Sequence, residues 1–168
     1  MKTLLSMITL LSASTALAST RPSDLKAHEL LKEIRAEKAA AATRIETLLR
    51  HAMHPHGVSW ESHAVAYTEV KDSMNRIAGY LRKLESNHDV LSEAEKAAVA
   101  RIGATVVPVS QGLAKLIIEI NEDRRAVLTQ PYLMRLKDLA AKSSESAVSV
   151  RDHVMMALNR AASPGSGL

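Results

Sequence analysis

Four stretches of this chain set apolar residues at alternating spacings of three and four, the period of helices packed side by side along their length. The first runs from about Ser23 to Met53, with the seam Ala27, Leu31, Ile34, Lys38, Ala41, Ile45, Leu48 and Ala52. The second, Ser59 to Ser86, carries Trp60, His63, Tyr67, Val70, Met74, Ile77, Leu81 and Leu84. The third opens at Ser92 and carries Val99, Ile102, Val106, Val109, Leu113, Leu116 and Ile120. The fourth follows Thr129-Gln130-Pro131 to about Ala162, with Leu133, Leu136, Ala140, Ser143, Ala147, Val150, Val154 and Ala157 on its inner side. Three short connections joining four helices of similar length make neighbours antiparallel. The expected fold is all-α, an up-down-up-down four-helix bundle.

Punctuation supports these limits. Ser23 and Ser59 are expected N-caps, and Ser92-Glu93-Ala94-Glu95 has the form of a capping box. Pro55 and Gly57 end the first helix. Pro108, well inside the third, removes one amide donor and is expected to free the Ala104 carbonyl and bend the axis.

Residues 1–18 read as a secretory signal peptide. Lys2 precedes the apolar run Leu4 to Leu11, and Ala16-Leu17-Ala18 has the small-x-small form of a cleavage site. The bundle domain then spans residues 19–162, followed by an expected disordered tail, 163–168. Export to a periplasm or the cell exterior is the expected localisation, with no transmembrane segment in the mature chain. Cysteine is absent, which excludes a disulfide framework, a thiolate metal site and covalently attached haem. A formal net charge of +4 is mild, with its signs interspersed, and points away from a nucleic-acid partner. One Trp, three Tyr and no Phe leave little to wall a sugar or flat-cofactor site.

Small residues gather halfway along the rod. Ala39 to Ala42 stand opposite Ser143, Ser144, Ser146 and Ala147, with Gly103, Ala104, Pro108 and Gly112 on helix three. A narrowed waist is expected in place of a central cavity.

The residues best suited to chemistry are His51, His54 and His56, with His63 seven positions on. Imidazoles in this number are candidate ligands for a copper, nickel or zinc ion, and Met53 adds a thioether suited to copper(I). Against this, histidines at a helix C-terminus also suit its terminal carbonyls, and His63 reads as a boundary residue with one nitrogen bonded. His28 and His153 fall at one end of the rod near Met155 and Met156, a layout similar to four-helix haem proteins of the cytochrome b562 kind. The similarity is of architecture alone, and it implies noncovalent haem as a further ligand class. Lys38 sits on the first seam, where its stem is expected to cover apolar surface while the ammonium reaches water. Glu119, Glu122, Asp123, Arg124 and Arg125 read as a solvated charged end. No nucleophile–base pattern, phosphate loop or nucleophile elbow is present. The expected function is a non-enzymatic interaction or structural module acting on a protein partner or by self-association. Transition-metal binding through the histidine cluster is the alternative.

Overall fold

The computed structural model describes residues 22–54 and 59–161. The expected signal peptide, residues 1–18, lies outside them, as do Pro55, His56, Gly57 and the expected tail, residues 163–168. Four long helices form an all-α bundle with antiparallel contacts: α1 (Pro22–Ala52), α2 (Trp60–Glu85), α3 (Glu93–Glu122) and α4 (Gln130–Ala161). Short 3-10 turns, His88–Val90 and Arg124–Leu128, sit in the second and third connections.

The direction of each neighbour is readable from side-chain pairs. As α1 rises, its partners on α2 fall: Arg76 binds Glu37 through two parallel bonds of 2.6 and 2.9 Å, and Arg44 reaches Glu69. Arg135 on α4 pairs with Glu119 on α3, while Ser146 donates to the Thr105 carbonyl at 3.0 Å. Helix α1 therefore lies between α2 and α4, and α3 lies against α4. The α2–α3 side is the loosest of the four.

Every member of the first and third seams is buried, Lys38 included. On α2 and α4 the inner stripe holds except that Trp60, Leu81, Leu133 and Ala147 are half-buried. Tyr132 and Leu139 complete the α4 face, at 0% and 1% exposure.

The caps explain the boundaries. Ser59 and Ser92 cap α2 and α3, and the Ser92–Glu95 box closes reciprocally. The Ser92 amide donates to Glu95 Oε2 at 2.8 Å, and the Glu95 amide donates to Ser92 Oγ. Because Glu95 is itself buried, Ser92→Ala removes a cap and a hydroxyl donor to an enclosed carboxylate. It is expected to lower stability by about 1–2 kcal/mol, read as a shift in the urea midpoint. Ser23, expected as the N-cap, falls just inside α1. The helix already starts at Pro22, whose fixed φ and missing N–H suit the first helical position.

Helix α3 runs unbroken through Pro108. The charged end expected after it is divided. Asp123 caps the turn Arg124–Leu128, accepting from the Arg125 amide at 2.9 Å, and that turn buries Ala126 and Val127.

Candidate functional site

The candidate histidines within the described residues, His51, His54 and His63, differ in burial. His51 and His54 are exposed at the end of α1, whereas His63, on the first turns of α2, is wholly buried and faces the core. Among the described residues no three His, Asp or Glu side chains gather to hold a metal ion.

His63 belongs instead to a polar chain across the bundle. Its Nδ1 lies 2.7 Å from Tyr132 Oη, which lies 2.6 Å from Tyr67 Oη. The arrangement with fewest unpaired groups has Tyr67 donating to Tyr132 and Tyr132 donating to Nδ1. That leaves the proton on Nε2, which is buried without a partner. Burial pulls the imidazole pKa down to about 4, so the ring is neutral at pH 7. Burial pushes the Tyr132 phenol up to about 12, with the Glu119 carboxylate adding to the rise. This chain ties α2 to α4 across the diagonal. Arg124 lies over the Trp60 ring, 4.1 Å from its centroid, at the start of the same helix.

Lys38 departs from expectation. It is fully buried, and its ammonium donates to Ser143 Oγ at 3.1 Å across the α1–α4 interface. Desolvation lowers its pKa to about 8. Of the small residues expected at the waist, Ala41, Ala42, Ser143 and Ser146 are buried, whereas Ala39, Ala104 and Pro108 are exposed. Across the α3–α4 interface, Leu139 Cδ1 would stand 3.1 Å from a β-carbon at Gly112, so a side chain there would push Leu139 back by a few tenths of an ångström.

At the other end, His28 Nε2 stands 3.5 Å from Glu95 Oε1. His153 is half-buried, while Met155 and Met156 are exposed, Met155 accepting from Arg35. The two thioethers thus face outward.

The surface offers more than the interior. Helix α3 is the one described helix long and apolar enough to cross a membrane, yet only 28% of its most apolar 18-residue window is buried. Its outward face carries a second stripe: Ala97, Ala100, Ala104, Val107, Gln111, Ala114 and Ile118, all exposed. These residues alternate at three and four, like the inner seam, and none is charged. Beside the stripe, on the loose α2–α3 side, lies a groove of about 380 Å³ walled by Met74, Ala78, Leu113, Ile117 and Ile118, with Lys71 at its rim. A second groove, about 700 Å³, opens between the start of α1 and the end of α2, lined by Leu30, Leu84, Val90 and Leu91. The outer stripe is visible in the sequence once α3 is searched for a second alternation after the first is assigned.

Comparison with known protein families, curated proteins and solved structures finds no match to this chain.

Proposed function

We propose that this chain is a non-enzymatic, exported helical bundle that works by binding a protein surface through the outer face of α3 and the adjoining α2–α3 groove. The supporting observation is the uncharged second stripe of α3, with Val107 52% and Ile118 55% exposed. A helix face of this length left in water is a cost that protein association removes, and contiguous exposed apolar patches of a few hundred Å² commonly mark interaction sites. The buried groups with altered proton affinity (Lys38, His63, Tyr67 and Tyr132) are bonded to one another or to Ser143 inside the core. They serve packing and register in this reading.

The test is site-specific photocrosslinking in cells exporting the chain. A photoreactive residue at Gln111, on the outer stripe, is expected to yield a discrete protein adduct. The same residue at Lys137, exposed on α4, is expected to yield none. Equal labelling at the two positions, or none at Gln111, defeats the proposal.

A further inference from the structure

We infer that the exposed methionines are oxygen-accepting sites for peroxides, and that Arg35 builds the oxidised form of Met155 into the α1–α4 contact. This role is separate from the α3 surface, since none of these residues lies on α3. Methionine is ordinarily among the residues most often found inside a protein. Here the distribution is reversed. Of the five methionines in the described residues, Met53, Met134, Met155 and Met156 are 40–66% exposed, and only Met74, at 6%, belongs to the core. Met53 and Met134 stand at one end of the bundle and Met155 and Met156 toward the other, so the four do not make one apolar patch for a partner. The chain has no cysteine, which leaves thioethers as its only oxidisable sulfur.

Met155 carries the second observation. Arg35 Nη1 donates to its sulfur at 3.2 Å, from α1 across to α4. A guanidinium is best matched by a carboxylate, and Arg35 has none in ion-pair range among the described residues. It is spent instead on a thioether, a weak acceptor. Oxidation converts that weak acceptor into a polar one, because the sulfoxide oxygen takes a charge-assisted hydrogen bond. The contact lies at the surface, so rotation about the terminal bonds of Met155 turns the new oxygen toward the guanidinium.

The step balances with hydrogen peroxide as the co-reactant. A sulfur lone pair attacks one peroxide oxygen, the S–O bond forms and the O–O bond breaks. The departing hydroxide takes the proton of the transferred hydroxyl, leaving sulfoxide and water. Sulfur is oxidised by two electrons and the peroxide is reduced by two. At Met74 the same product would place a polar oxygen in the core, and enclosure keeps the oxidant away from it.

Hydrogen peroxide is the probe, and peptide-level mass spectrometry of the purified chain is the first readout. In the folded protein Met53, Met134, Met155 and Met156 are expected to take up one oxygen each, about tenfold faster or more than Met74. Helicity by circular dichroism is expected to persist while they do. Met74 oxidised as fast as the others, or helicity lost as the four surface sites fill, overturns the oxygen-accepting role. The part played by Arg35 is read in a chain carrying Met53→Leu, Met134→Leu and Met156→Leu, three exposed positions whose replacement removes no core contact. Oxidation of Met155 in that chain is expected to lower the ratio of unfolded to folded protein in urea about fivefold, the gain from replacing a bond to sulfur by a charge-assisted one to oxygen. With Arg35→Leu added, the same oxidation is expected to give no such gain. A gain that survives Arg35→Leu, or none when Arg35 is present, overturns the assignment to Arg35.

Discussion

Lys38→Met is expected to stabilise the bundle by about 3 kcal/mol at pH 7, the equivalent of lowering a lysine from 10.5 to about 8. For a domain of this size that is a rise in melting temperature on the order of 10 °C. The native state encloses the ammonium with Ser143 as its hydrogen-bond acceptor, and desolvation is the cause of the altered proton affinity. Methionine fills similar volume without a charge to desolvate, and Ser143 can turn its hydroxyl to a carbonyl of its own helix. Below pH 8 the lysine is protonated in both states, so the whole penalty is present. Between pH 8 and 10.5 the unfolded chain holds the proton and the folded chain does not, so stability rises with pH. Above 10.5 the penalty is gone. The difference between Lys38→Met and the parent should therefore be largest at neutral pH and shrink to near zero above pH 10.5. Urea unfolding of both proteins at pH 7, 9 and 11 checks this. A variant less stable than the parent, or a difference flat across that range, removes the argument.

The same lysine shows where periodicity stops informing. Its position on the first seam is legible from the spacing of Ile34, Ala41 and Ile45, and it is indeed inward. Whether its ammonium escapes to water depends on what stands beside it on other helices, which a repeat along one helix does not encode. The stripes, the Ser59 and Ser92 caps and the antiparallel order were all local or short-range, and all are found. The turn that buries Ala126 and Val127 was not, because it depends on fit to the rest of the bundle.

The histidines make the same point for the candidate site. His56 and His63 are seven positions apart, and a tight hairpin would favour grouping them. Yet His63 is in phase with Tyr67 and Val70, so the rotation of α2 that buries those residues turns its imidazole inward, away from the exposed His51 and His54. Tyr132 was missed because it precedes the apolar run of α4, and its role exists only across the diagonal to α2. On α3 the reverse happened. Two alternations coexist on one helix, and the more apolar claims the core and masks the other.

Removal of the Tyr132 hydroxyl is expected to cost far more than removal of the Tyr67 hydroxyl, although the two oxygens are 2.6 Å apart. Tyr132 sits in the middle of the chain, accepting from Tyr67 and donating to His63. Tyr132→Phe leaves a buried phenol donor and a buried imidazole acceptor both unpaired, a loss of about 2–4 kcal/mol. Tyr67→Phe removes the terminal donor and keeps the bond to His63, a loss of about 1 kcal/mol. His63 itself sets the acid limit. Its folded pKa of about 4 lies below the 6.5 of the free side chain, so between these values the unfolded chain binds a proton that the folded chain does not. Stability therefore rises with pH across that window, and acidification from pH 6.5 to 4 is expected to remove about 3 kcal/mol on this account. In His63→Leu that contribution is absent, and its stability should fall less over the same range. Urea midpoints for the parent and the three variants at pH 4 and pH 7 test both statements. Equal losses from the two tyrosine changes would mean that the hydroxyl chain is not what joins α2 to α4. A His63→Leu protein as acid-sensitive as the parent would place the acid limit on the carboxylates instead.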